Sequence, residues 1–425
     1  MDRSLDGKRI LICQPMMHWI CGSTVVTLEL AEFLKSIGMN VEIYTCFFDE
    51  PLKTICNKKK IKVTDASSSP DYDILNFDFI WSHSQILPLS IIRQLSNRNV
   101  ENFPKFIFLH MSGMDWIPDE KPWIYGLENK ISDKSLFISE EVRDINRELL
   151  AADIQKDFFR NPAPHEYSLI ENKNEKLKNI LIVSNHPPKE LIEASEILKK
   201  KYRINVDMMG ENREKYTLCT PEIIEQYDAV ITIAKTTQYC LVAGMPVFIY
   251  DSFSGGVGWL NEKNLNNAMK RNFSGYQNKF YPDYIGDGFS KMTPSEISKK
   301  IVLGFDSAKK FQIKNRNKFI RLFDIQNVLP NILSDFTERK REEFSHKELS
   351  SFLAAEQFAI EKFKIASFLH NQDQNCLRLE RELEALKVTL DENEHIIKEQ
   401  QKCMDAKSYK LYKKLISPIS KIKNR

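Results

Sequence analysis

The 425-residue chain lacks the marks of several large protein classes. Its 61 Lys and Arg nearly balance 58 Asp and Glu, a formal charge of only +3. That argues against a dedicated nucleic-acid binder, whose domains carry a pronounced basic excess. None of the eight cysteines falls in a C-x-x-C pair or a metal-type spacing, and Cys13 and Cys240 sit inside apolar runs. Small buried thiols in a reducing cytoplasm fit that usage. No stretch approaches the roughly 20 apolar residues of a membrane-spanning helix, so any membrane contact is expected to be peripheral. The opening MDRSLDGKRILIC has acidic residues and too short an apolar run for a secretory leader. No acidic metal-binding motif is evident, and no metal is expected.

What the chain does have is 42% hydrophobic residues and a length that suits two or three domains. From Lys8 it reads strand (RILICQP), glycine-containing turn, helix (STVVTLELAEFLKSIG), strand (NVEIYTC). Val26, Leu30, Phe33, Leu34 and Ile37 recur at helical spacing, and Gly38 is placed to end the helix. This is a βαβ unit and predicts a parallel sheet. Short apolar runs at FDFIWSHS, KFIFLHMS and KSLFISEE read as further buried strands, whose ends carry His83, His110 and Ser139. The proline-containing, Asn-rich FFRNPAPHEYSLIENKNEK reads as a linker. The strand–loop–helix pattern then restarts at LKNILIVSNHPPKELIEASEILKKKYRINVDMMGE, and YDAVITIAKTTQYCLVAGMPVFIYDSFSGGVGWL adds two strands. The expectation is two doubly wound, Rossmann-like α/β domains, at residues 1–165 and 166–300, facing a cleft. Ligands in such sheets collect at the carboxyl ends of the strands.

Beyond about Ser295 the chain is charged and helical, read as a helical segment over 301–370. Cys376, Leu379, Leu383, Leu386, Leu390, Asn393, Ile397, Gln400 and Met404 then alternate at spacings of three and four. Such a stripe predicts a coiled coil over 371–406 and a homo-oligomer, with Asn393 and Gln400 fixing register. The alternative is a long amphipathic helix lying on the protein's own surface. The last stretch, KSYKLYKKLISPISKIKNR, has seven basic residues and no acidic one. Wound as a helix, residues 407–425 would put Leu411, Tyr412, Leu415, Ile419 and Ile422 on one face and most lysines opposite, a pattern that suits an anionic bilayer surface. Pro418 would kink it, and disorder or docking on a partner are the other readings.

Three short stretches could carry chemistry. In QPMMHWICGSTVVTLELAE, Gly22 opens a helix and allows an anion close to backbone amides. In VSNHPPKELIEA, His186 and Lys189 stand beside the start of another helix, with a solvated lysine in a proline-shaped turn as the bland reading. In ITIAKTTQYC, Lys235 follows a strand and Thr236 or Thr237 is placed to cap the next helix. Amides, hydroxyls and an ammonium would there converge on a diphosphate. Gly255 and Gly256 form a further close-approach loop, with Asp251 able to bind a hydroxyl or act as a base.

The stretches CGSTVVTLELAEFLKSIGMNVEIYT, FLHMS, NPAPHE, VSNHPPKEL, the Tyr227 to Leu260 run and NFSG together resemble a GT-B glycosyltransferase of bacterial capsule and O-antigen clusters, distantly similar to glycosyltransferase family 4. The resemblance covers roughly residues 8–280, and the terminal SYKLYKKLISPI is similar to tails of polysaccharide transferases. It implies that the second domain holds a nucleotide diphosphate sugar and the first presents a lipid-linked or glycan acceptor. By the same resemblance Lys189, Lys235, Thr236 and Thr237 contact the diphosphate, Gly210 and Glu211 lie near base or ribose, Gly22 faces the donor phosphate, and His110 lies near the transferred sugar. The cysteine usage, the opening residues and the basic tail together give the expectation of a cytoplasmic protein, peripheral on the inner face of the cytoplasmic membrane. The pattern departs at one place: family 4 enzymes carry a glutamate five residues before the glycine of A-x-G-x-P, and here that position is Tyr239, with Gln238 beside it. Donor identity and retaining or inverting stereochemistry stay open. For an inverting transfer, His110 or Asp251 would deprotonate the acceptor. A GT-B-type sugar-nucleotide epimerase and a catalytically inactive scaffold are the alternatives.

Overall fold

The computed structural model describes residues 5–96, 103–114, 124–171, 176–211, 213, 216–276, 288–339, 341 and 343–422; side chains at 381, 384, 385, 403–405, 409 and 412–422 are outside the description. The chain divides into two compact units, Met1–Ser367 and Phe368–Arg425.

The first half of the larger unit runs β1 (Arg9–Met17), α1 (Gly22–Ser36), β2 (Asn40–Phe48), α2 (Leu52–Lys58), β3 (Lys62–Asp65), β4 (Phe79–His83), α3 (Leu89–Gln94), β5 (Lys105–His110), α4 (Tyr125–Ile131), β6 (Lys134–Phe137), α5 (Glu140–Asn146) and β7 (Gln155–Phe158). Its seven strands pair in the order β3-β2-β1-β4-β5-β6-β7, every pair parallel. Alternation along β1 makes two cores: Ile10 and Ile12 face α1 with Leu30 and Leu34, whereas Leu11 and Cys13 join Phe106 and Phe108 on the other side. The edge strands KVTD and QKDF lack the apolar runs that announce the central strands, because an edge is covered less completely.

The second half continues with β8 (Asn179–Val183), α6 (Lys189–Tyr202), β9 (Asn205–Met209), α7 (Pro221–Ile224), β10 (Ala229–Thr232), α8 (Ala234–Ala243), β11 (Val247–Asp251), β12 (Gly255–Trp259), α9 (Leu265–Lys270) and α10 (Pro294–Phe323). The order is β12-β11-β10-β8-β9, parallel except for the β11–β12 hairpin. The glycine-rich β12 carries no strand signal, yet it closes this edge. α10 opens at a capping box: Thr293 Oγ1 accepts from the Glu296 N–H, and Glu296 Oε2 accepts from the Thr293 N–H.

The chain crosses between the two sheets twice. One crossing is the expected linker; the return, at the end of α10, had no sequence signal. Ala163 N–H donates to Phe323 O at 2.6 Å and Ile325 N–H to Ala163 O at 2.9 Å, so the crossings are tied side by side. α11 (Ile325–Ser334) then buries Ile325, Leu329, Ile332 and Leu333 against the first sheet's core. α12 runs from His346 to Ile422 without a break, through residues 370, 406 and Pro418. Its beginning packs Leu349, Ala359, Ile360 and Phe363 on the first sheet. Beyond Phe368 its stripe is bare: Leu379, Leu383, Leu386, Leu390 and Ile397 are each more than half exposed. No described helix is long and apolar enough to cross a membrane. The side chain of Met404, those from Tyr412 to Ile422, and residues 423–425 lie outside the described structure.

Candidate functional site

Sheet order sets the carboxyl ends of β9, β8, β10 and β11 in a row, carrying Gly210 and Glu211, the loop 184–186, the start of α8, and Asp251. The loop between β1 and α1 meets this row. Ile20 N–H donates to Tyr216 Oη at 2.8 Å, and Ile20 O accepts from Asn185 Nδ2 at 3.2 Å. Asn185 Oδ1 in turn accepts from the Glu211 N–H at 2.9 Å. Asn185 and Tyr216 thus hold both backbone groups of one residue of the opposite domain, a role that sequence reading did not assign them. Two residues on, Gly22 begins α1, and a Cβ placed there would meet nothing within 4 Å. Its missing side chain leaves open space at a helix start. His186 and Lys189 are exposed; Lys189 Nζ lies 3.7 Å from Glu193 across one helical turn.

The start of α8 departs from expectation. Its N-cap is Ile233, with no side-chain cap, so Thr236 and Thr237 do not cap the helix. Thr236 is half-buried, while Thr237 is fully buried and its hydroxyl has no partner. Ala234 sits at φ +48°, a left-handed conformation uncommon for alanine that marks a constrained turn. The first-turn amides of α8 are consequently not satisfied by any capping side chain. Lys235 turns away from this end. Its Nζ lies 2.6 Å from Glu29 Oε2, donates to Pro162 O at 2.5 Å and Asn161 O at 3.3 Å, and stands 4.9 Å from the Tyr239 ring centre. The ammonium expected at a diphosphate is neutralised by a carboxylate of α1, because burial leaves it no water to compensate its charge.

Tyr239, where a glutamate was expected, donates its hydroxyl to Glu29 Oε1 and stacks on Tyr167 with ring centres 4.2 Å apart. Burial is the main influence on this cluster, raising the Glu29 carboxyl and lowering the Lys235 ammonium from their ordinary values. Gln238 is buried, its carboxamide 3.0 Å from that of Asn272. A cavity of about 440 Å³ opens beside the cluster, lined by Glu29, Tyr167, Cys219, Glu222, Tyr239 and Gln326. It lies along α1 at the chain crossings, away from the strand-end row.

Asp251 is also committed to the fold. Its carboxylate accepts from the N–H groups of Phe253, Ser254 and Gly275 and from Ser274 Oγ, binding two loops together. Burial raises its carboxyl above the usual range, against the pull of those hydrogen bonds. A base with its lone pairs so occupied is poorly placed to take a substrate proton. Gly255 and Gly256 are glycines because the chain itself comes close: a Cβ would meet Ser290 O at 2.2 Å and Ile249 O at 1.8 Å respectively. The close approach expected for a ligand is made by backbone.

His110 is better disposed. At the end of β5 it is 3% exposed, its Nε2 lies 2.9 Å from Glu128 Oε1, and its Nδ1 has no partner. Glu128 also accepts from Ser135 Oγ at 2.5 Å and from Gln85 Nε2. Burial would raise the Glu128 carboxyl, but His110, Ser135 and Gln85 together hold it below its usual value. The carboxylate fixes the orientation of the imidazole and leaves Nδ1 as the ring nitrogen without a protein partner, the geometry that a histidine general base requires. Nothing in YGLENKI distinguished Glu128 from a surface residue. The neighbouring His83 differs: burial lowers it to about 3, so it is neutral, with Nδ1 2.7 Å from Gln14 Oε1. Among the described residues, no group of three or more His, Cys, Asp or Glu could hold a metal ion.

No family model and no curated protein matches the chain. Solved structures do. The Anabaena protein Alr3699/HepE, determined in complex with UDP, superposes with a TM-score of 0.50 at 11% identity, over 77% of this chain and 98% of its own. A glycosyltransferase from Rickettsia africae ESF-5 gives 0.49 at 17% identity, over 77% and 97%. With two facing α/β domains, parallel sheets in each and a second chain crossing after α10, the fold is that of the GT-B class, followed by a C-terminal helical region.

Proposed function

We propose that the protein is a glycosyltransferase that moves a sugar from a nucleotide diphosphate sugar to a lipid-linked or glycan acceptor, in bacterial surface-polysaccharide synthesis at the inner face of the cytoplasmic membrane. The observation that carries this is the junction at Ile20, where Asn185 and Tyr216 bring the loop ahead of Gly22 onto the strand-end row. In this reading the uncapped amides at the start of α8 and the open start of α1 receive the diphosphate, whose negative charge grows as the sugar leaves. Lys189 and His186 are the accessible groups that would add positive charge. Lys235 acts indirectly, through Glu29, by holding α8 against α1. Glu211 and Gly210 stand where the nucleoside would be read. His110 Nδ1, oriented by Glu128, takes the acceptor proton. The basic C-terminal residues would hold the protein to anionic lipid, and the α12 stripe would join copies of it.

Titration calorimetry with UDP and GDP, combined with turnover across a panel of sugar nucleotides, tests the reading. His110→Gln should leave nucleotide affinity unchanged and lower turnover by about 10²–10⁴-fold. Absence of nucleotide binding at millimolar concentration would refute the donor site. Binding without turnover in wild type would favour the second reading, an inactive scaffold. That reading draws support from the internal engagement of Lys235 and Asp251.

A further inference from the structure

The exposed stripe of α12 carries more information than its period. Taking Cys376 as position a, the a positions from 369 to 404 are Leu369, Cys376, Leu383, Leu390, Ile397 and Met404, every one apolar or a thiol. Polar residues enter only at d, as Gln372, Asn393 and Gln400, alongside Leu379 and Leu386. All three polar d residues are exposed. In an antiparallel pair of helices a packs against d of the partner, so each of these amides would be buried against an apolar side chain. In a parallel pair d packs against d. In register, Gln372, Asn393 and Gln400 then each meet their own copy, where carboxamides donate and accept mutually. Charge agrees. In a parallel pair the g residue faces the partner's following e residue, which sets Glu382 against Lys387 twice by symmetry and brings no like charges together at the other g–e pairs. The run ends naturally after Met404, because the next d residue is Lys407, which would face its own charge.

We infer that residues 369–404 form a parallel, in-register, two-stranded coiled coil with a second copy of this chain. The coil is five heptads long, about 53 Å at 1.5 Å per residue. It rests on the reading of α12 as a self-association helix and is independent of the transfer reaction. Because Cys376 is exposed at an a position, the parallel register brings the two copies of this thiol across the dimer axis.

The test uses the full chain with Cys403→Ser. Sedimentation equilibrium should give twice the 49.6 kDa protomer mass, and Leu383→Lys with Leu390→Lys should give the protomer. A short bismaleimide, adding one thiol across each of its two double bonds, should link Cys376 to Cys376, as identified by peptide mass spectrometry. Cys376→Ser should abolish the product. A monomeric wild type overturns the coil itself. A dimer whose Cys376 thiols are alkylated singly but not linked overturns the parallel register, and a trimer or tetramer overturns the strand number. Turnover, where present, is read separately and decides neither outcome.

Discussion

Lys235 and Glu29 lie on helices that belong to different sheets, and each explains the other's burial. Either one alone would be an uncompensated charge in the interior, and removing one partner of such a pair costs about 3–5 kcal/mol. Lys235→Met should therefore lower stability by roughly that amount, read as a shift in the urea midpoint. Adding Glu29→Gln should recover most of the loss, since losing both charges together is close to neutral. Additive losses in the double variant would show that the pair is not coupled. Tyr239 belongs to the same unit, its ring on Tyr167 and its hydroxyl on Glu29. The replacement of the expected glutamate by tyrosine is thus balanced by a carboxylate from α1. No local window around Tyr239 discloses this, because Glu29 lies on another element far away in sequence.

At the scale of elements, α12 shows one helix serving two environments. Ser345 and Glu348 start it with a reciprocal cap. Its first turns then bury Glu356, whose Oε1 accepts from the Leu87 N–H at 2.8 Å and whose Oε2 has no partner. Burial pushes this carboxyl up to about 8 from an ordinary 4.5, with the Leu87 hydrogen bond opposing. Between those two values the folded chain keeps a proton that the unfolded chain releases. The contribution of Glu356 to stability is thus full below about 4.5 and falls as pH rises towards 8, by up to about 1.4 kcal/mol per pH unit. Glu356→Gln cannot ionise, so it should flatten this slope and be the more stable protein at pH 8. Urea unfolding of both proteins at pH 5.5 and 8 checks this, and equal pH slopes would mean that Glu356 is not held neutral. The thiols Cys13 and Cys46, buried in one cluster with Leu349, Ala359, Ile360 and Phe363 of this helix, are themselves pushed up, chiefly by burial and next by the neighbouring Glu356 carboxyl.

At the scale of the whole molecule, the basic residues from Lys407 onward are the remaining unexplained asymmetry of a chain with little net charge. Each Lys or Arg near an anionic surface contributes about 1 kcal/mol, and that attraction is screened by salt. The 425-residue chain should float with acidic liposomes at low ionic strength and be released by about 0.5 M salt, where the screening length is only several Å. Deleting 407–425 should abolish flotation, and unchanged flotation would assign membrane contact elsewhere. A parallel coil would carry two such tails at one end, raising avidity through effective concentration rather than new contacts.

Periodicity alone determined the central strands, α1, α6 and the stripe of α12, because each buries or presents a continuous face whose spacing is local. The edge strands β3 and β7 and the hairpin strand β12 escaped for the same reason, since partial burial and close backbone approach leave no apolar run. That the strand ends would lie in a row was legible, but the hydrogen-bond and ion-pair partners of their residues were not. Lys235 meets Glu29 only because the chain crosses between its sheets, whereas Asp251 and His110 find their partners, loop amides and Glu128, within their own half of the molecule once it has folded. Burial is what separated the two kinds of knowledge. A residue type announces the chemistry it can perform, but which charge or hydrogen bond it must satisfy depends on what the tertiary fold packs against it.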